Sequence, residues 1–211
     1  MSAVHEQLRA NDLRLLAVAR GVSDQDWFRP SLCAAWSNHE VLAHLVIGYR
    51  ASLAAIAAEM IRHRGSFDRS NAGLARKLAA RHTPAVLIDE FAALVDSPRG
   101  VGRVFPRRLL LGDHMIHELD IVLPLGLRPT VSPEVLVAVL ETQVRVPNPF
   151  VPAAARARGL TLRATDVDWA YPDGRRCVTG KAAHLASALA GRPWALTHLS
   201  GDGVAQLRER M

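Results

Sequence analysis

The chain has 211 residues, enough for one generous domain or a large one with a small companion. Hydrophobic residues make up 49% and charged residues 22%, which excludes intrinsic disorder, and aromatics at only 5% point to a core of Leu, Ala, Val and Ile. The 26 basic against 20 acidic residues favour anionic partners, but the dense stretch Arg99, Arg103, Arg107 and Arg108 carries no interleaved aromatics to stack bases, so nucleic acid is not expected.

Residues 3–20 place Val4, Leu8, Leu15 and Leu16 at helical spacing, with Gly21 at the expected stop. Ser37-Asn-His-Glu40 has the form of a capping box, opening a helix of some seven turns through Leu45, Tyr49, Leu53 and Met60 to Gly65. A polar loop, Ser66 to Gly73, precedes a short helix near 74–81. Thr83-Pro84 caps the next helix, which Ser97-Pro98-Arg-Gly100 ends. A fourth long helix runs from Pro106 toward Leu125-Gly126, and a further one covers 133–145. The predicted fold is mainly α, an up-down four-helix bundle over residues 1–146. Pro147-Asn-Pro-Phe-Val-Pro152 is a stiff linker. Beyond it, Leu160–Thr165 and Val167–Tyr171 alternate with period two, and Pro172-Asp-Gly174 signals a turn. Residues 153–211 therefore read as a small α/β C-terminal domain with a plausible hairpin.

Cys33 and Cys177 are too few for a disulfide scaffold. No stretch approaches a membrane span, and the charged start lacks the apolar run of a secretory signal. A cytoplasmic setting follows as the expectation.

Nine histidines are present. His5, His63, His82, His184 and His198 have no second ligand type at metal spacing, and His39 reads as solvent-facing or a loop contact. The informative group is His44 with Asp113-His114-Met-Ile-His117-Glu-Leu-Asp120. Asp113 and His117, at i and i+4, project from one helix face as a metal half-site. His44 lies between core residues Leu42, Leu45 and Val46 and is expected to point inward. Two imidazoles and one carboxylate leave an open position, as catalytic sites do. His114 with His117 is the alternative pair, with Asp113 then in an outer, orienting role. A surface hydrogen-bonded pair and a structural core histidine are the competing plain reading.

The stretch Pro30-Ser-Leu-Cys-Ala-Ala-Trp36-Ser-Asn-His-Glu-Val-Leu-Ala-His44-Leu resembles the first signature of the mycothiol-dependent maleylpyruvate isomerase family, within the DinB-like bundle superfamily. Asp113 to Asp120, followed by Pro124-Leu-Gly126, resembles its second motif. Leu160–Trp169, Val178-Thr-Gly180, Leu189–Arg192 and Leu199–Gly203 are similar to its attached C-terminal domain. The resemblance implies a divalent metal, usually zinc, on His44, Asp113 and His117. It departs at Asp113, where the family carries Glu, and at Ala35, where it carries Gly. Restoring Glu at 113 is expected to tighten the metal. Cys33 precedes a buried tryptophan and reads as packing.

The resemblance further implies a thiol cosubstrate, mycothiol or a similar small thiol, whose thiolate form the metal favours. The partner is a small electrophile, anionic in character, transformed by thiol transfer or isomerisation. Arg108 and Arg192 are the candidate groups for a substrate carboxylate, and Arg192 is the expected contribution of the tail. Asp120 is placed to orient His117 or to hold the helix end. The alternative function is a non-catalytic metal- or ligand-binding bundle with a regulatory or sequestering role. The expected oligomeric state is a monomer or homodimer.

Overall fold

The computed structural model describes residues 3–34, 36–148 and 150–211, so Ala35, one of the two departures noted above, lies outside the described residues. By its contacts the chain divides into two units, Met1–Arg128 and Pro129–Met211.

The first unit contains α1 (Ala3–Arg20), α2 (Asp24–Trp27), α3 (Asn38–Arg50), α4 (Leu53–Arg62), α5 (Phe67–Ala79), α6 (Pro84–Val95), a 3₁₀ turn (Gly100–Arg103) and α7 (Arg107–Val122). Helices α1 and α3 each pack against both α6 and α7, which makes a four-membered bundle. The apolar stripes that close it include Leu8, Leu15, Leu42, Leu45, Leu87, Phe91, Met115 and Leu119, all nearly inaccessible to solvent. The expected capping box holds: Ser37 Oγ accepts from Glu40 N at 3.2 Å, and Glu40 Oε2 accepts from Ser37 N at 2.8 Å. Thr83 caps α6 with Pro84 in its first turn, also as expected.

Two expectations are corrected. The helix expected from Ser37 to Gly65 is broken at Ala51-Ser52 into α3 and α4. Ala51 is extended, Ser52 Oγ caps α4 by accepting from Ala55 N at 3.1 Å, and the freed carbonyls of Tyr49 and Ala51 accept from Arg99 N and Val101 N at 2.7 and 2.9 Å. The incoming strap is glycine-bearing for a reason. A Cβ on Gly102 would lie 2.7 Å from Tyr49 Cα, and Gly100 combines a φ of +48° with a would-be Cβ 2.0 Å from Ala51 O. The second correction is that residues 67–73 are helical. Ser66 caps α5, which is longer than the helix expected near 74–81 and packs along α3.

In α7 every residue from His114 to Val122 is buried. It has no solvent face over that span, unlike α5, whose buried residues are Ser70 and Ala75 alone.

The second unit contains α8 (Pro133–Arg145), α9 (Ala153–Ala157), β1 (Leu160–Ala164), β2 (Ala170–Pro172), β3 (Arg176–Gly180), α10 (Ala182–Leu189), a 3₁₀ turn (Pro193–His198) and α11 (Val204–Arg208). Helix α8, expected with the bundle, groups here: Gln143 Nε2 donates to Ala186 O at 3.0 Å, and Trp169 Nε1 donates to Glu141 at 2.8 Å. The sheet order is β2-β1-β3. Strand β1 pairs antiparallel with β2 and parallel with β3, so Pro172–Gly174 is a crossing to the other edge of β1 rather than a hairpin turn. Leu160, Leu162 and Val178 supply the buried face. Among the described residues no helix is long and apolar enough to cross a membrane.

Candidate metal centre

His44 is brought in on α3, two turns past its capped start, and Asp113 and His117 sit one turn apart on α7. These three meet inside the first unit. His44 Nε2 lies 3.3 Å from Asp113 Oδ2, His117 Nε2 lies 3.5 Å from Asp113 Oδ1, and the two imidazole centroids are 4.6 Å apart. Two ligand atoms about 2.0–2.2 Å from a tetrahedral zinc lie about 3.3–3.6 Å apart. The shorter arm of Asp113 therefore reaches the common point.

The outer nitrogens settle which way the lone pairs face. His44 Nδ1 donates to the Asn71 amide oxygen on α5 at 3.0 Å, and His117 Nδ1 donates to Asp120 Oδ2 at 2.9 Å. Both acceptor oxygens lack a proton to give, so a ring with a single proton carries it on Nδ1 and turns the lone pair of Nε2 toward the Asp113 carboxylate. His44 Nε2 is buried and has no hydrogen-bond partner. Bare lone pairs facing a carboxylate fit a cation between them.

Both imidazoles are 7% exposed, whereas the Asp113 side chain is 37% exposed. Burial works to raise the Asp113 carboxyl, but the positive charge that His44 and His117 carry when protonated outweighs it and holds the carboxyl below the usual carboxylate range. Burial lowers His117, which keeps the ring neutral as a ligand must be. The Trp36 indole lies over both rings, 5.9 Å from His117 at 26° and 5.2 Å from His44. Its loop is pinned to α7 by Leu32 N donating to Asp120 O at 3.0 Å.

His114 takes no part. It turns to the opposite side of α7, where Nδ1 meets Asp12 Oδ1 at 2.8 Å and the Tyr49 hydroxyl donates to the other oxygen of Asp12. Beside it Arg14 makes a two-pronged pair with the fully buried Glu118. His39, read as solvent-facing or a loop contact, is buried against the ring of Phe28, the residue that follows α2. Asp120 is where it was expected, fully buried behind His117. Arg108 is exposed in the first turn of α7. Arg192 belongs to the second unit, where its Nη1 donates to Ala190 O at 3.0 Å.

Three features escaped the sequence. Asn71 was hidden in a segment read as loop, and no spacing signal singles it out. The Trp36 indole as a cover over both imidazoles was not anticipated. Cys33, read as packing, has its sulfur grouped with His117 and Asp120, the ligand-type atoms all lying within 4.8 Å of one another.

Residues 8–101 match the family model of the mycothiol maleylpyruvate isomerase N-terminal domain. The matched span includes His44, Asn71 and Trp36, while Asp113 and His117 follow it in α7. Two solved structures share the fold over 96% of both chains: a mycothiol-dependent maleylpyruvate isomerase at 16% identity and TM-score 0.59, and a His-to-Ala mutant of one at 14% and 0.60. No curated protein matches the chain in sequence.

Proposed function

We propose that the first unit holds a divalent cation, zinc by its donor set, on His44, Asp113 and His117. On this reading the protein is a thiol-dependent enzyme that isomerises, or transfers a thiol to, a small anionic electrophile. The observation that carries it is the facing of two imidazole lone pairs onto one carboxylate, each ring held from behind by an acceptor.

A bound cation would supply positive charge that favours the deprotonated form of an incoming thiol. The chain's own groups do the rest. Asp120 and Asn71 keep both rings in one tautomer. Trp36 covers the rings on one side and limits the approach of water there. Asp113, partly exposed, marks the side from which a thiol enters. Mycothiol or a similar small thiol is the cosubstrate that the domain family supports. Adding sulfur to one alkene carbon and a proton to the other, then eliminating both after rotation about the single bond, isomerises an alkene with the thiol regenerated. Arg108 is proposed as a group that holds the substrate carboxylate, since a guanidinium binds it with two parallel hydrogen bonds. The proposed setting is cytoplasmic and the protein a monomer or homodimer.

The test is metal analysis of the purified protein followed by titration of the cobalt-substituted form with a small thiol. One equivalent of metal and a thiolate-to-cobalt charge-transfer band support the reading. Stoichiometric metal without the band supports a sequestering bundle instead, and no bound metal overturns the site. Replacing Arg108 with Met should raise KM for an anionic electrophile about tenfold or more while leaving thiol binding intact.

A further inference from the structure

The two imidazoles are backed unequally. Behind His117 stands Asp120, a fully buried carboxylate three residues along the same helix. Behind His44 stands Asn71, a neutral amide delivered by a different helix, α5. An amide oxygen accepts a hydrogen bond as a carboxylate does, but it adds no charge. The two carboxylates Asp113 and Asp120 already balance the two charges of a divalent cation. A third anion behind His44 would leave the centre negative before any thiolate arrived.

We propose that Asn71 is a positioning residue for the centre: its side-chain oxygen holds His44 as the Nδ1–H tautomer, with Nε2 free toward Asp113, and its neutrality keeps the cation's charge available to an anionic thiol. Without that acceptor, Nδ1 would lose its partner and the ring would gain by moving its proton to Nε2, where Asp113 Oδ2 at 3.3 Å can accept it. A ring protonated at Nε2 cannot ligate through that nitrogen. Helix α5, which packs on α3, thus does more than cover apolar surface.

This inference rests on the cation reading for its purpose, but its first test does not. Long-range ¹H–¹⁵N correlation on the metal-free protein reports the His44 tautomer directly. The wild type is expected to show Nδ1–H, Asn71→Asp the same form, and Asn71→Leu a mixture with Nε2–H. Competition with a chromophoric chelator then reads zinc affinity. Asn71→Leu should weaken it about 10–100-fold, the usual effect of losing an outer partner. Asn71→Asp should bind at least as tightly as wild type, yet give a weaker thiolate-to-cobalt band at equal thiol concentration. Should Asn71→Leu fail to fold, Asn71→Ala removes the acceptor with less bulk and carries the same expectations. A leucine or alanine variant that keeps the Nδ1–H form overturns the proposal, as does one whose zinc affinity stays within about twofold of a zinc-binding wild type. A wild type that binds no zinc, with the tautomer still shifted in Asn71→Leu, sinks the cation reading alone and leaves the positioning role standing.

Discussion

The His44 and His117 rings meet edge to face at 4.6 Å, one from α3 and one from α7, and both turn Nε2 to a single carboxylate. Neither helix supplies the pair alone. The site therefore reports on how α3 and α7 pack, and its energetics are separable from those of the bundle, which rests on apolar stripes.

Replacing His117 with Ala should abolish stoichiometric zinc while the bundle stays folded. The ring is one of the two imidazoles proposed as ligands, and the remaining donor pair would not hold the ion against a chelator. Metal analysis together with a far-ultraviolet circular dichroism melt checks both halves. Retained zinc would place the ion elsewhere, and a lost helical signal would show that the ring is structural.

The geometry reverses one expectation about Asp113. Its oxygens already lie 3.3 and 3.5 Å from the two Nε2 atoms, so the added methylene of Asp113→Glu must fold away to keep those separations. Zinc affinity is expected to fall, by up to about tenfold, rather than rise. Chelator competition decides it, and tighter binding by the Glu variant would mean that α7 stands further from His44 in solution.

Trp36 stacks on His117 and lies tilted against His44, so an ion held by those rings would sit beside the indole. Cobalt is expected to quench tryptophan emission in the wild type, and Trp36→Phe should remove most of that metal-dependent change. The other three tryptophans, Trp27, Trp169 and Trp194, make no ring contact with His44 or His117 among the described contacts. Equal quenching in the variant would contradict the placement of the indole.

Gly102→Ala should destabilise the first unit by about 1–3 kcal/mol, the usual result of overpacking, because its Cβ would lie 2.7 Å from Tyr49 Cα and 2.8 Å from Tyr49 O, both backbone atoms. Urea unfolding measures this as a lower midpoint at unchanged slope. A variant as stable as wild type would show that the strap can move off α3.

In the second unit, the His184 ring lies tilted 4.6 Å from His198 and meets Trp194 edge to face at 5.9 Å. Burial, and then the neighbouring His198 and Lys181, lower its pKa below the ordinary histidine value, while Asp166 works in the opposite direction. A histidine with a depressed folded pKa binds its proton more readily when unfolded. The unit should therefore lose stability as pH falls below about 6.5. Proton titration by NMR should place His184 below that value and move it upward in His198→Ala, which removes a like charge and opens the ring to water. An unshifted midpoint in both proteins would refute the coupling.

Much of this molecule is legible in its sequence because local rules decide it. Ser37 and Glu40 cap α3 within one turn, Thr83-Pro84 opens α6, and the period-two run at Leu160 makes a strand. Asp113 and His117 share a face because a helix repeats every 3.6 residues. The break at Ala51-Ser52 is different. Its cause, a glycine strap bonding to the carbonyls of Tyr49 and Ala51, arrives from about fifty residues along the chain. Asn71 became a partner of His44 only once α5 formed and lay along α3.

The ligand set shows the division most sharply. Sequence alone left His114 and Asp113 as rivals beside His117, because α7 is buried along its length from His114 to Val122 and so carries no polar face to mark its orientation. Tertiary packing decided between them. Helix α1 presents Asp12 to one side of α7 and takes His114. Helix α3 presents His44 to the other and takes Asp113 and His117. Spacing determines which side chains travel together on a helix; only the neighbouring helices determine what they travel toward.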